Sequence, residues 1–308
     1  MHILITLIVG ISLLLSGIFL MRFSLQHLFW HRVQQILHKM TITPWRGMVL
    51  GTIASALMQS SSALTLITIG LVSANYLSFY QALGIILGAN IGTCSTVQLM
   101  TLTLPENHTL PALVLTALLM ILVKKLRYPC MFAIGMLSLF IGLNHLSNAL
   151  NRLTEHTLLM QCLAITQQNP GYGILAGILI TILFQSSSAA TGIVMALAAD
   201  GFLSLDSAAY IIYGNNIGSC FSSLLLGAAS PLAGRRVAAA HLLLNLLGVV
   251  VALPFTSTLT LLTRLFSDNF SVQIAYIHTL FNLISSLFVL PFTRQYARLI
   301  IFLLPDRK

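Results

Sequence analysis

Apolar residues run along this chain in blocks of one to two dozen, separated by short polar gaps. Ile3 to Met21 is the first block, near the roughly 20 residues that span a bilayer as a helix. In Ser24–Met40, apolar Leu25, Leu28, Phe29, Val33, Ile36 and Leu37 alternate with His31, Arg32, Gln34, Gln35 and Lys39. That near-helical spacing predicts an amphipathic helix on the membrane surface. Gly47–Met58 and Ala63–Ala74 then flank Gln-Ser-Ser-Ser. Each flank is about 12 residues, roughly 18 Å as a helix and too short to cross. The pair predicts a re-entrant hairpin with its tip near mid-membrane, where polar backbone is tolerated only inside protein or a wet cavity. Phe79–Leu104 is one apolar run interrupted at Gly88-Ala89-Asn90-Ile91-Gly92-Thr93. Two glycines and an asparagine weaken a helix, so a broken span is expected there. Leu110–Val123 and Tyr128–Leu150 read as further spans, followed by a polar connector carrying Arg152 and Glu155.

The pattern then recurs. Gln59-Ser60-Ser61-Ser62 returns as Gln185-Ser186-Ser187-Ser188, and Gly88, Asn90, Ile91 and Gly92 return as Gly214, Asn216, Ile217 and Gly218. Both recurrences are the same step, 185 − 59 = 214 − 88 = 126 residues. Pro44–Val97 aligns with Pro170–Ser223 without a gap, and Pro44, Gly47, Gly51, Ala63, Thr65 and Cys94 meet identical partners. Internal duplication fixes architecture before any single residue does. A second hairpin over Gly173–Ala199 and a second broken span over Ser207–Ala233 follow, then spans at Val237–Phe255 and Ser271–Phe292. The fold class expected is an all-α integral membrane protein of two inverted repeats, each with a re-entrant helical hairpin and a broken transmembrane helix. Its parts are an N-terminal span and surface helix (1–46), repeat 1 with following helices (47–150), and repeat 2 with C-terminal helices (151–308).

Composition agrees with a membrane protein. The 308 residues are 57% apolar and 7% charged, against about 25% charged in soluble domains. The first block has no basic n-region and no obvious cleavage site, so it reads as a retained helix rather than a signal peptide. The net charge of +9 sits in the gaps between apolar runs, where orientation signals lie, which argues against nucleic acid. With Arg22–Arg46 in the cytoplasm and each hairpin returning to its side of entry, every Lys and Arg except Arg152 and Arg264 is cytoplasmic. The repeats are then antiparallel, the hairpins enter from opposite faces, and the C-terminus is cytoplasmic. Inverted repeats with broken helices mark secondary transporters. Cys94, Cys130, Cys162 and Cys220 show no C-x-x-C spacing and read as small buried residues. Nothing suggests a transition-metal site or an organic cofactor.

The candidate chemistry lies in the two polar clusters: Gln59, Ser60, Ser61, Ser62, Thr65, Asn90 and Thr93 in one, Gln185, Ser186, Ser187, Ser188, Thr191, Asn216 and Ser219 in the other. Hydroxyl and amide oxygens with freed backbone carbonyls suit a hard monovalent cation such as sodium. The helix N-termini near Ser62 and Ser188 suit an oxyanion, to which hydroxyls and carboxamide NH2 groups donate. Neither cluster contains Arg or Lys, which favours a cation-coupled symporter over an anion channel lined with basic rings. Gly47, Gly51, Gly173 and Gly177, at G-x-x-x-G spacing, read as helix-packing positions. His241 with Asn245, and His278 with Asn282, each share a helical face and read as hydrogen-bonding groups between helices. Asp200 and Asp206 read as solvated residues at the outer end of the second hairpin.

The paired Gln-Ser-Ser-Ser motifs, Gly88–Thr93 and His278-Thr279-Leu280-Phe281-Asn282 together resemble the type II sodium/phosphate cotransporter family, over nearly the whole chain. The resemblance implies co-transport of sodium with inorganic phosphate across a bacterial inner membrane, with Gln59–Ser62 and Gln185–Ser188 lining one shared site. Ser219 stands where the family's segment has Thr, and Leu244 where it has Phe before Asn. Many similar bacterial proteins carry a PhoU-like regulatory domain with no counterpart up to Lys308, which leaves room for a separate regulatory protein; a homodimer is also open. The competing reading within transport is a carrier or exporter of another tetrahedral oxyanion such as sulfate or arsenate. An intramembrane serine hydrolase, with His241 or His278 as base, and a purely structural or sensing protein are remote alternatives.

Overall fold

The structure, a computed structural model, describes residues 2–40, 43–102, 105–153 and 157–306. Among them the regular structure is helical, in fifteen α-helices: α1 (His2–Met40), α2 (Pro44–Met58), α3 (Ser61–Ser73), α4 (Phe79–Met100), α5 (Glu106–Leu122), α6 (Arg127–Leu153), α7 (Thr157–Gln168), α8 (Pro170–Phe184), α9 (Ser187–Ala199), α10 (Leu205–Ser219), α11 (Phe221–Ala228), α12 (Leu232–Ala252), α13 (Thr256–Arg264), α14 (Phe270–Val289) and α15 (Thr293–Leu303). Five helical stretches are long and apolar enough to cross a membrane: 3–31, 79–100, 124–152, 232–264 and 270–303. The helices α3, α8 and α9 are apolar but shorter, as the half-length flanks predict.

Local signals explain where the short helices begin. Pro44 and Pro170 occupy the first turns of α2 and α8, and Thr43 and Asn169 cap them through their side chains. Proline suits the first turn because its missing N–H would have had no helical partner there. Both helices stop at a glutamine and resume two residues later, so each repeat holds a pair of short helices joined by Gln59-Ser60 or Gln185-Ser186.

The long first helix differs from expectation. Ile3–Met21 and Ser24–Met40 form one uninterrupted helix, with the Ser24 hydroxyl donating to the Leu20 carbonyl at 2.8 Å. Nothing between the two expected segments breaks a helix: there is no Gly or Pro from 18 to 40. The side chains of Ile36 and Leu37, part of the expected apolar face, lie outside the described residues. Where a polar connector was expected after Leu150, α7 forms; Glu155 lies outside the described residues.

The first expected broken span is also continuous. Helix α4 runs from Phe79 to Met100 through Gly88–Thr93. The glycines serve close packing instead. A Cβ on Gly88 would lie 2.0 Å from the Met48 carbonyl oxygen of α2, and one on Gly51 would lie 2.5 Å from that of Ile85. Repeat 2 has the same contact: Gly214 against the Ile174 oxygen at 2.0 Å, and Gly177 against that of Ile211 at 2.0 Å. Small residues let two backbones touch where lipid supplies no hydrophobic drive. In repeat 2 the span is interrupted, at Cys220 between α10 and α11, six residues beyond Gly214 (220 − 214).

Helices α1 and α6, which begin 127 − 2 = 125 residues apart and so close to one repeat step, meet in the same way. Gly10 lies against Gly142 and Leu146, and Gly17 against Gly135 and Leu139. As numbering rises on one helix it falls on the other, so α1 and α6 run antiparallel. Helix α12 packs on α3, α4, α10 and α11, and α14 packs on α4, α9 and α10, so both C-terminal spans bridge the halves. These two spans are copies as well. His241, Asn245 and Leu253-Pro254-Phe255-Thr256 recur as His278, Asn282 and Leu290-Pro291-Phe292-Thr293, a step of 278 − 241 = 37 residues. Each ends in a proline-containing 3-10 turn and a short amphipathic helix.

The glycine contacts are testable. Gly88→Ala and Gly214→Ala put a methyl group into backbone that cannot yield as a side chain does, and should each destabilise the folded protein by ~1–3 kcal/mol or more. Gly70→Ala, with nothing within 4 Å of its Cβ, should be neutral or slightly stabilising. Thermal unfolding of detergent-purified variants checks this; equal midpoints for all three would refute close packing as the reason for these glycines.

Candidate functional site

The two Gln-Ser-Ser-Ser turns have nearly the same backbone. Gln59 and Gln185 end their helices in the left-handed region, at φ 52° and 50°. That conformation is uncommon for a side chain other than Gly, Asn or Asp. Each glutamine NH2 folds back onto its own helix, donating at 2.8 Å to the carbonyl of Ala56 or Ile182. Ser60 and Ser186 are extended N-caps whose hydroxyls accept from the N–H of Ala63 and Ala189, both at 3.2 Å. An N-cap satisfies one of the donors that a helix start leaves free. Ser61 and Ser62, and Ser187 and Ser188, fill the first turns, where the helix dipole favours negative charge.

The side chains around the two turns differ. Gln59 is buried, 3% exposed, and also donates to Ser95 Oγ at 3.1 Å, while its Oε1 has no partner. Gln185 is exposed and accepts from Ser222 at 3.0 Å. Thr191 lies 3.2 Å from the Asn215 carboxamide, which Thr181 also meets at 3.1 Å. In repeat 1 the residue in place of Asn215 is Ala89, and the buried Thr65 hydroxyl is left without a partner. Ser188 is fully buried with its hydroxyl unpartnered; its counterpart Ser62 reaches the Ser219 carbonyl at 3.5 Å, linking repeat 1 to the end of α10. No hydrogen bond joins the two Gln-Ser-Ser-Ser segments to each other among the described residues.

One residue at the second turn escaped the sequence reading. Arg22, from α1, donates through Nη2 to Ser186 Oγ at 3.2 Å, and its buried Nε has no partner. The clusters were expected to be free of basic residues, and in sequence they are. Only the packing of α1 against α9 brings the guanidinium in, and no spacing signal marks it.

The Gly-x-Asn-Ile-Gly segments bind the helices together. Asn90 Nδ2 donates to Asn245 Oδ1 at 3.2 Å, and Asn90 Oδ1 lies 3.3 Å from His241 Nε2. His241 Nδ1 lies 3.1 Å from Ser223 Oγ. With Nε2 protonated, His241 donates to Asn90, and its Nδ1 competes with the Cys220 carbonyl, 2.8 Å from Ser223 Oγ, for the single Ser223 hydroxyl proton. His241 and Asn245 thus join helices, as their spacing suggests, and Asn90 serves that network. The sulfhydryls of Cys94 and Cys220 lie near the carbonyls of His278 and His241, at 3.7 and 3.6 Å. The mirrored network is open: Asn216 bonds within its own helix to Ile212, and both ring nitrogens of His278 and Oδ1 of Asn282 are buried without partners. Val97 stands where repeat 2 has Ser223, so His278 lacks that bond. The recurrence of His-x-x-x-Asn at a 37-residue step was the signal that could have paired α12 with α14. Thr93 and Ser219 bond to carbonyls of their own helices, Ala89 at 3.0 Å and Asn216 at 2.6 Å.

Asp200 and Asp206 are half-buried rather than solvated. Ser147 donates to Asp200 and Thr260 to Asp206, both at 2.6 Å. The hydroxyls of α6 and α13 hold them, and a cavity of about 180 Å³ bordered by Asn144, Ser147 and Ala199 opens beside the first.

The sequence profile described as Na+/Pi-cotransporter matches twice, over residues 13–148 and 138–268. The "Uncharacterized protein YqeW" of Bacillus subtilis (strain 168) is 29% identical over the full length of both chains. The "Putative inorganic phosphate export protein YjbB" of Salmonella typhimurium is 28% identical over 82% of this chain, which spans 47% of that protein. The "Sodium-dependent phosphate transport protein 2A" of Ovis aries is 38% identical over 34% of this chain and 18% of its own. No solved structure matches. The double match falls on both copies of the turn and on the helices that position them, and the chain belongs to the Na+/Pi-cotransporter family.

Proposed function

We propose that the chain is a sodium-coupled symporter of inorganic phosphate in a bacterial inner membrane, with substrate and sodium bound near mid-membrane between the two Gln-Ser-Ser-Ser turns. The observation that carries the reading is the turn itself, built twice with the same backbone from helices too short to span. Each turn offers a helix start and hydroxyls to an oxyanion. The unpartnered buried oxygens of Gln59 and Thr65 are of the kind that coordinates sodium at broken helices. The family and the named relatives supply the substrate class. On this reading the repeats are inverted, the short pairs are re-entrant, and the C-terminus is cytoplasmic. The antiparallel packing of α1 on α6 supports the inversion. Phosphate export is a second reading, favoured by the name of the YjbB relative. The same carrier runs either way, as its gradients dictate.

Coupling is tested by binding and flux. Radiolabelled phosphate binding to the purified protein should fall at least tenfold when choline replaces sodium, and uptake into proteoliposomes should follow the sodium gradient. Undiminished binding in choline would instead indicate proton-coupled or uncoupled transport.

Topology is tested at exposed residues. Gly47 and Gly173 are packed against Gly84 and Tyr210, so cysteines there would disturb the fold. Arg46→Cys and Tyr172→Cys are exposed, equivalent positions at the starts of α2 and α8. In a background without native cysteines, a membrane-impermeant maleimide should label them from opposite sides. Labelling from one side refutes the inverted arrangement.

Ser61 and Ser187 follow the caps rather than form them, so Ala should leave both helices intact. Loss of a hydrogen bond to a buried charged partner costs about 1.5–3 kcal/mol. Each substitution should therefore reduce transport at least tenfold while expression holds. Ser12→Ala and Ser16→Ala, exposed on α1, should change little. Normal transport by Ser187→Ala would show that the second turn is a scaffold and not half of a site.

A further inference from the structure

We infer that Arg22 completes a half-site for a tetrahedral oxyanion at the second Gln-Ser-Ser-Ser turn, making the two identical motifs unequal in function. The inference rests on the symport reading, which it refines by assigning the anion to one turn.

Arg22, expected in the cytoplasm from its charge, lies instead in the first candidate span, within residues 3–31. A guanidinium in a spanning helix is costly and is held there by a partner or a task. Among the described residues the ion pair is Arg236 with Asp306, so no carboxylate neutralises Arg22. Its bond to protein runs from Nη2 to Ser186 Oγ, and its buried Nε is left with a donor unused. A planar fork with a free donor matches an oxyanion better than a single hydroxyl does.

The surroundings also supply donors. Ser186 Oγ already accepts from Ala189 N–H and from Arg22. Both of its lone pairs are engaged, so what it has left to offer is its O–H, to an acceptor. It is thereby unsuited as a sodium ligand and suited to an anion. Ser188, fully buried in the first turn of α9, has a hydroxyl with no partner. The start of this 13-residue helix adds positive potential. The first turn has no such cation among the hydrogen bonds of its residues. Ser60 accepts from Ala63 N–H, and the unpartnered atoms there include the carbonyl-type Gln59 Oε1, an acceptor and no donor. Each turn keeps one unpartnered buried hydroxyl, Thr65 or Ser188, but the first adds the Gln59 Oε1 acceptor and the second the Arg22 guanidinium, because α1 delivers its arginine to one of them.

Inorganic phosphate and a phospholipid headgroup share the chemistry that this half-site takes; the proposal is the free anion. The test measures radiolabelled phosphate binding to the full chain in sodium-containing detergent solution, for wild type, R22Q and R22K. Sodium-induced thermal stabilisation without phosphate reports on folding and on the cation site. R22Q should bind phosphate about ten- to a hundredfold more weakly, R22K should fall between it and wild type, and sodium stabilisation should be unchanged in both. Wild-type affinity in R22Q overturns the inference and leaves the symport reading standing. Anionic phospholipid that competes with phosphate in wild type, and is retained by wild type but not by R22Q, makes this a headgroup site and also overturns it. If wild type binds no phosphate, the phosphate reading fails, and sulfate and arsenate are titrated the same way. Arg22-dependent binding of either keeps the half-site, and binding of neither removes it.

Discussion

A helix that stops leaves backbone groups without helical partners, and this constraint shapes both halves of the molecule. The protein meets it with two residues. The glutamine turns the chain through a left-handed conformation and returns its own NH2 to the helix it ends, and the serine caps the helix that begins. The two helices of each pair touch each other, and a neighbour packs on both of them. The neighbour is the helix that follows, α4 or α10, drawn to backbone contact by Gly51 and Gly88 in one half and Gly177 and Gly214 in the other. The glycine pairs and the serine turns are thus one device. The first fixes where the second can stand.

Duplication gave the halves one plan, and small substitutions made them differ. Ala89 in place of Asn215 leaves Thr65 without the bond that Thr191 has. Val97 in place of Ser223 leaves His278 without the bond that His241 has. Each change removes a partner from a buried polar group, and an unmade buried hydrogen bond costs more than a made one contributes. Repeat 1 therefore leaves the Gln59 Oε1 acceptor and the Thr65 hydroxyl unmet near its turn. The second turn, with Arg22 beside it, concentrates donors. A transporter that binds a cation and an anion together has use for that difference, which two perfectly equal halves would lack.

Much of this was legible in the sequence. The duplicated motifs, the half-length helices and their proline starts are local signals, and the helices formed where those signals lie. Two readings failed for an identifiable reason. The low helix propensity of Gly88 and Gly92 is a weak prior that packing overrides; against α2 they are contact points in an intact helix. Ser24–Met40 was read apart from Ile3–Met21 because its face changes from apolar to mixed, yet nothing there interrupts helical hydrogen bonding. Arg22 was beyond reach, since its meeting with Ser186 spans 186 − 22 = 164 residues and follows no periodicity. The pairing of α12 with α14 was within reach, as a 37-residue step hidden beneath the louder 126-residue one.

The charge balance of the proposed site bears on why sodium would be needed. One guanidinium and a helix start oppose an anion that carries between one and two negative charges near neutral pH. Helix-start potential is equivalent to roughly half a charge, so a dianion would remain undercompensated in a medium where an unpaired charge is expensive. The carboxylates nearest the second hairpin, Asp200 and Asp206, are already held by Ser147 and Thr260. On the proposed reading the remaining compensation would fall to a mobile cation, for which the unpartnered Gln59 and Thr65 oxygens of the other turn are the candidate ligands. Binding of either ion then lowers the electrostatic cost of the other, and by linkage the effect is reciprocal. Such a site needs no extra device to couple the two flows. On that reading neither ion would sit well alone, and which way the pair moves would be left to the gradients across the membrane.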